Sequence, residues 1–308
     1  MKILLTGGSG MVGKNILNYS KFNKLQIVSP SSNELDLTNY KAVDKFIKLV
    51  KPDLIIHAAG KVGGIQSNIK YPVDYLVKNL DIGRNLILAA DFNNVTRFLN
   101  IASSCMYPKN AENPLKEEAI LNGSLEPTNE GYALAKIVST KLCEYISKEK
   151  SNVMYKTLIP CNLYGKYDKF DPSNSHMLPA VIRKIHLAKL NKKAEVEIWG
   201  NGKARREFMY AGDLADFVYL ASQRIDELPQ NINVGIGHDY SILDYYKTVA
   251  NVIGYKGQFK FDLTKPTGMK QKLIDNSRQL KFGWKSETSL KEGIKNTYSY
   301  FKKINNYD

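Results

Sequence analysis

Short apolar runs alternate with longer segments of helical period through the first half of the chain. Lys2 to Thr6, Leu25 to Val28, Asp53 to His57, Arg97 to Ala102 and Val153 to Pro160 are rich in aliphatic side chains and bounded by turn residues, the pattern of buried strands. Between them, Met11 to Tyr19, Tyr40 to Val50, Val73 to Phe92 and Tyr132 to Lys148 place apolar residues three and four apart, as helices do. This alternation predicts βαβ units around a parallel sheet, and hence a doubly wound α/β fold. Two of the helices are apolar on more than one face. Val73 to Phe92 carries Leu76, Val77, Leu80, Leu86, Ile87 and Leu88, and Tyr132 to Lys148 carries Leu134, Ile137, Val138, Leu142 and Ile146. A helix lying on a sheet needs one apolar stripe, so the second face predicts a subunit contact and a homodimer.

After Gly165 the rhythm breaks into the loop Asp171-Pro172-Ser173-Asn174-Ser175, followed by a basic helix. The expected organisation is a first unit over 1–165 and a smaller, mainly α+β unit over 166–308, with segments near 207–238 candidates to return to the first. The second half mixes strands at Glu195 to Trp199, Asn231 to Val234 and Phe259 to Asp262 with helices that close on Leu290 to Phe301.

Composition narrows the class. Hydrophobic residues make up 43% and charged residues 24% of the 308, which is ordinary for a globular chain and too apolar for disorder. The formal charge of +14, from 44 basic against 30 acidic residues, should attract anions. The lysines are scattered rather than interleaved with aromatics on one element, so nucleic acid is not the expected partner. Three cysteines, Cys105, Cys143 and Cys161, and four histidines show no CxxC or HxxxH spacing, so no metal site is expected. The first residues turn polar and glycine-rich before a signal-peptide core could form, and no apolar stretch reaches membrane-spanning length. A cytoplasmic protein without a membrane partner is the expectation.

The strongest local signal is Thr6-Gly7-Gly8-Ser9-Gly10-Met11-Val12-Gly13, directly after a strand and opening a helix. Gly7 permits a tight turn, Gly10 lets backbone approach a pyrophosphate, and Gly13 lets helix and strand pack closely. The helix start, with Met11 and Val12, offers amides and a positive dipole. Dinucleotide binding by the first unit follows. An acid at the end of the second strand would select NAD and an arginine NADP, yet Ser29-Pro30-Ser31-Ser32-Asn33 holds neither. NADP(H) is favoured by the missing acid, and NAD(H) stays open.

Tyr132 and Lys136 stand four apart on one helix face, so phenol and ammonium point into the same space. A cation beside a phenol favours the phenolate and tunes a proton relay. Ser103 ends the strand before them, at the sheet edge where ligands of such folds bind, and is placed to bond a reacting carbonyl or alcohol.

With these residues in order, the chain resembles the extended short-chain dehydrogenase/reductases, with a Rossmann sheet. Longer strings make it similar to the GDP-L-fucose synthase family: Ala59-Gly60-Lys61-Val62-Gly63-Gly64-Ile65, Ser103-Ser104-Cys105-Met106-Tyr107-Pro108, Leu125-Glu126-Pro127-Thr128-Asn129-Glu130, Asn162-Leu163-Tyr164-Gly165, Pro172-Ser173-Asn174-Ser175-His176 and Arg206-Glu207-Phe208. The resemblance implies NADPH-dependent reduction of C4 of a GDP-linked 4-keto-6-deoxy-sugar by Ser103, Tyr132 and Lys136. It implies that Cys105 and His176 are the acid/base pair that inverts C3 and C5, whose C–H bonds the C4 ketone acidifies. It places Asp36, Ala58, Gly60, Asn162 and His176 at the cofactor, and Lys184, Trp199, Arg206 and Asp275 at the GDP-sugar.

Ser9 and Ser31-Ser32 stand where relatives carry arginines, Cys161 where threonine is usual, Gly131 where proline is usual and Lys184 where arginine is familiar. A pocket reshaped for a heptose, and loss of the epimerisation step, therefore stay open. Two other readings remain: a sugar-nucleotide 4,6-dehydratase or 4-epimerase that recycles NAD, and a non-catalytic NAD(P)-binding protein.

Overall fold

The computed structural model describes residues 1–171, 175–265 and 268–307. The chain opens β1 (Lys2–Thr6), α1 (Met11–Leu17), β2 (Gln26–Val28), α2 (Tyr40–Val50), β3 (Leu54–His57), α3 (Ile65–Lys70), α4 (Pro72–Phe92), β4 (Arg97–Ile101), α5 (Glu130–Glu149) and β5 (Met154–Pro160). It continues β6 (Asn162–Tyr164), α6 (Met177–Leu190), β7 (Glu195–Trp199), β8 (Arg205–Arg206), β9 (Phe208–Tyr210), α7 (Ala211–Gln223) and β10 (Asn231–Val234). It closes β11 (Tyr240–Ser241), α8 (Ile242–Ile253), β12 (Gln258–Asp262), β13 (Gln271–Lys272), α9 (Ser277–Lys281) and α10 (Leu290–Ile304).

The main sheet has six strands in the order β2-β1-β3-β4-β5-β10, every pairing parallel. The doubly wound fold expected from the alternation is the fold observed. Strand residues sort by the period of the pleat: Ile3, Leu5, Leu54, Ile56 and Leu99 join a core with α7, while Leu4, Ile55 and Phe98 join one with α2 and α4. Each fully buried aliphatic side chain contributes on the order of 2 kcal/mol, so two covered faces fix the register firmly. From β1 the chain turns to β2 on one side and then crosses to β3 on the other. The loops after β1 and β3 therefore open into a crevice at the switch point.

Helix α1 ends at Leu17, two residues short of the expected Tyr19, because Asn18 caps it and Ser20–Lys24 form a 3-10 turn that buries Phe22. The loop residues Pro172, Ser173 and Asn174 lie outside the described residues.

A second core is built by Leu178, Val181, Ile182 and Ile185 of α6, Val196 and Ile198 of β7, Tyr245, Val249 and Ile253 of α8, and Ile294 and Phe301 of α10. Around it lie short pairings: β7 with β12, β8 between β11 and β13, and β6 with β9. Among the described residues, no helix is long and apolar enough to cross a membrane.

Candidate active site

The glycine loop has the geometry a dinucleotide needs. Gly7 has φ +79° and lies so close to β3's exit that a Cβ would stand 2.6 Å from the Ala58 carbonyl carbon. On Gly13 a Cβ would reach within 2.2 Å of the Gly7 oxygen, so helix α1 could not dock on the loop. Gly10, by contrast, faces open space: among the described residues its Cβ would meet nothing nearer than the Gly7 oxygen at 3.4 Å. Here α1 starts at Met11 and Val12 with no side-chain cap among the described residues, and first-turn amides have no partner within their own helix. Beside Gly8 the Ser29 hydroxyl oxygen is buried and, among the described residues, has no hydrogen-bond partner, an orphaned group that fits a bound polar ligand. Asp36 spends its carboxylate on the Thr38 amide and hydroxyl at 2.9 and 2.7 Å, and Glu34 accepts from the Ser31 amide at 2.7 Å. Both acids of that loop thus brace their own backbone.

At the other end of the crevice, β4 delivers Ser103 and α5 delivers Tyr132 and Lys136. Lys136 is buried and its Nζ donates to the Ile101 carbonyl oxygen at 3.1 Å, 5.8 Å from the Tyr132 ring centre. Burial lowers its pKa to about 8, opposed by the neighbouring Cys105 thiol. The phenol of Tyr132 moves the other way: burial first, then Cys105 and Tyr75, hold its pKa well above the usual tyrosine range. The depression expected from the adjacent Lys136 is absent: only burial, Cys105 and Tyr75 move this group, all upward, so the phenol keeps its proton near pH 7. Gly60 supplies room beside the lysine; a Cβ there would stand 2.9 Å from the Asn79 side-chain oxygen and 3.8 Å from Lys136 Nζ. Ser103 is extended and its Oγ accepts from the Cys105 amide at 3.3 Å, which leaves the hydroxyl proton free to point outward.

Cys105, on the 3-10 turn after Ser103, is buried, and burial pushes its thiol pKa up. His176 precedes α6 as its N-cap. Its ring is exposed by surface area yet stands among many protein atoms; that desolvation, then Lys169 and Lys272, lowers its pKa. Thiol and imidazole are thus both neutral near pH 7, one a donor and the other an acceptor. Lys272 acts electrostatically on both, and its own pKa is lowered by burial beside Cys105, Arg206, Cys161 and Glu126. Sequence reasoning missed this lysine.

Asn162, on β6, donates to the Glu207 carbonyl oxygen at 2.8 Å. Glu207 itself is fully buried, and its carboxylate accepts from the amides of Ile236, Gly237 and Ile274 at 2.7, 2.9 and 3.0 Å. Burial still raises its pKa to about 7. Asp239 does a similar job nearby: it accepts from Arg205 Nε at 2.7 Å and Gln271 at 2.7 Å, tying β8 to β13 and so Arg206 to Lys272. Arg206 is half-buried, with its pKa lowered by that burial. Lys184 donates to the Glu197 carbonyl oxygen at 2.5 Å, and the Trp199 indole donates to the Glu197 carboxylate at 3.1 Å. Asp275 gives one carboxylate oxygen to the Ser277 amide at 2.8 Å, in the turn into α9. Among the described residues no group of three His, Cys, Asp or Glu side chains is placed to hold a metal ion.

The family model described as "NAD dependent epimerase/dehydratase family" matches residues 3–237. A GDP-L-colitose synthase of Yersinia pseudotuberculosis is 57% identical over 100% of both chains. A GDP-L-fucose synthase of Azorhizobium caulinodans is 48% identical over 97% of this chain and 96% of its own. The chain belongs to the GDP-L-fucose synthase family. Among solved structures, the family resemblance extends to MlghC, a GDP-mannoheptose C4 reductase from Campylobacter jejuni with NADP bound. It is 36% identical, covers 98% of each chain, and superposes with a TM-score of 0.88.

Proposed function

We propose that the chain reduces C4 of a GDP-linked 4-keto-6-deoxy-sugar with NADPH, after epimerisation beside the ketone by Cys105 and His176. The observation that carries the reduction is the convergence of Ser103, Tyr132 and Lys136 at the carboxyl edge of β4, in the crevice that the glycine loop opens. NADPH, when bound, supplies the hydride. Gly7, Gly10 and Gly13 admit its pyrophosphate, Ala58 and Gly60 line the crevice wall, and Asn162 sits at the nicotinamide end. Ser103 donates to the sugar's C4 oxygen, and Tyr132 gives that oxygen its proton. Lys136 keeps positive charge beside the phenol as the proton leaves. For epimerisation, the His176 imidazole takes a proton from carbon and the Cys105 thiol returns one to the other face. Lys184, Trp199, Arg206 and Asp275 hold the sugar nucleotide, with cations toward the diphosphate.

The rival dehydratase reading requires a carboxylic acid and a carboxylate after the strand-end hydroxyl, and Ser104 and Cys105 occupy those places. In the proposed organisation 1–165, with the return near 207–238, handles the cofactor and 166–308 mainly the sugar nucleotide. The protein works as a cytoplasmic homodimer. Loss of NADPH absorbance with GDP-4-keto-6-deoxymannose and with its heptose counterpart is the test. Turnover of one identifies the sugar; no turnover of either rejects the substrate class.

A further inference from the structure

Strand β7 alternates cleanly: Val196 and Ile198 enter the second core, while Glu195, Glu197 and Trp199 face outward. On that outer face Glu197 stands between two residues assigned above to the sugar nucleotide. Its Oε1 accepts from the Trp199 indole at 3.1 Å and lies 4.0 Å from Lys184 Nζ, whose hydrogen bond goes to the Glu197 backbone oxygen. Lys265 Nζ sits 5.9 Å from the Trp199 ring centre, and a Cβ on Gly268 would stand 3.3 Å from the Arg206 guanidinium. A carboxylate among these cations would repel a diphosphate. Its placement makes chemical sense if it meets a different part of the nucleotide.

Guanine presents two adjacent N–H donors, N1–H and the N2 amine, on one edge. Adenine, uracil and cytosine present no such pair of neighbouring donors. A carboxylate accepts both at once, with the charge assistance that makes such bonds strong. The second oxygen of Glu197 makes no hydrogen bond among the described residues, and Oε1 retains a lone pair beyond its bond to the indole. The geometry points to Glu197 as the residue that reads guanine, its carboxylate accepting from N1–H and N2–H while the Trp199 indole it holds supports the base. This rests on the reading that Lys184 and Trp199 bind the sugar nucleotide.

The test is calorimetric binding of GDP, IDP, ADP and UDP to the NADPH-loaded protein, wild type against Glu197→Ala and the isosteric Glu197→Gln. IDP keeps N1–H and lacks the 2-amino group. Wild type should bind GDP more tightly than IDP, and both more tightly than ADP or UDP. Glu197→Ala should weaken GDP by about tenfold or more relative to ADP and UDP, the usual worth of a bidentate base contact, over whatever loosening of Trp199 costs all three alike. Glu197→Gln should collapse the GDP-to-IDP ratio. If Glu197→Ala weakens all four nucleotides alike, Glu197 only props up Trp199 and the inference fails. If both variants keep the wild-type ratios, it fails as well. A wild type with no preference for GDP would instead reject the GDP-sugar reading itself, and the inference with it.

Discussion

Lys136 donates to the main-chain oxygen of Ile101 at 3.1 Å, so the ammonium is anchored to the end of β4 while it sits 5.8 Å from the Tyr132 ring centre. Its pKa, lowered to about 8 by burial, sets the upper limit of its charge. An unfolded lysine stays protonated to about pH 10.4, so the folded protein discharges it earlier. The reduction rate at saturating NADPH should hold level below pH 8 and fall above it, and Lys136→Met should remove that fall along with most of the activity. A wild-type profile still flat at high pH, in a buffer series that leaves the fold intact, would contradict this.

Tyr132 keeps its proton because burial raises the phenol pKa. It can therefore donate to an alkoxide forming at C4 without first being recharged. Tyr132→Phe removes that donor and preserves the ring, and the expected loss in kcat is about 10²–10⁴-fold, the usual worth of a positioned acid. NADPH affinity, read by fluorescence titration, should change little. Full activity in Tyr132→Phe would reject the assigned role.

Cys105 and His176 shift in opposite directions, the thiol up and the imidazole down, so neither carries charge near neutrality. An epimerase using them should wash solvent deuterium into the sugar ring beside the ketone even when NADPH is withheld. The acid limb of that exchange should lie below pH 6.5, the ordinary histidine value, because desolvation by the surrounding protein atoms and two lysines disfavour the imidazolium. Cys105→Ala and His176→Gln should each abolish the exchange, as followed by mass spectrometry. Unaltered exchange in either variant would remove that residue from the step.

Glu207 binds three amides with one buried carboxylate, and its pKa is raised to about 7. A folded pKa above the unfolded one means that this group's contribution to stability is complete below pH 4.5. It is lost as pH rises through about 7, where the buried charge appears. Glu207→Gln cannot ionise, but its amide nitrogen would face either the Ile274 amide or the paired amides of Ile236 and Gly237. Leaving a buried N–H unpaired costs about 1–3 kcal/mol. The variant should melt lower than wild type at pH 5, and the gap should narrow by pH 8. A gap that widened over that range would show the sign to be wrong.

How much of this was legible beforehand depended on whether a residue's signal was local. The strand at Lys2–Thr6 and the helix at Tyr40–Val50 coincide with their expected bounds because periodicity and neighbouring turn residues specify both. Tyr132 and Lys136 share a helix, so a spacing of four suffices to pair them. Lys272 had no such signal: it is one of 44 basic residues, on a two-residue strand too short to show alternation. Its meaning comes from the pairing of β13 with β8, which brings it opposite Arg206. Glu207 stands within the string Arg206-Glu207-Phe208, yet only the fold shows that its carboxylate gathers amides from beyond β10 and β13. Asp36 and Asp275 illustrate the reverse, since each acid that the family resemblance placed at a ligand also braces a local turn.

Helices α4 and α5 pack on each other, with Gly83 so close to Ser139 that a Cβ would stand 2.1 Å from its hydroxyl, and the pair still leaves apolar residues outside. Val77 is 46% exposed and Val138 is 40% exposed, with Val73, Leu134 and Tyr145 also solvent-facing on these two helices. In the proposed homodimer this face meets its symmetry mate, and such an interface needs about 800 Å² from each partner. Placing a carboxylate at both positions, Val77→Glu with Val138→Glu, sets like charges against each other across the two-fold without touching Tyr132 or Lys136. Light scattering after gel filtration should show wild type at twice the chain mass and the double variant at one. NADPH binding should survive in the monomer, because every group assigned to the cofactor comes from a single chain. A wild type that elutes as a monomer at micromolar concentration would leave the second apolar face without its proposed partner.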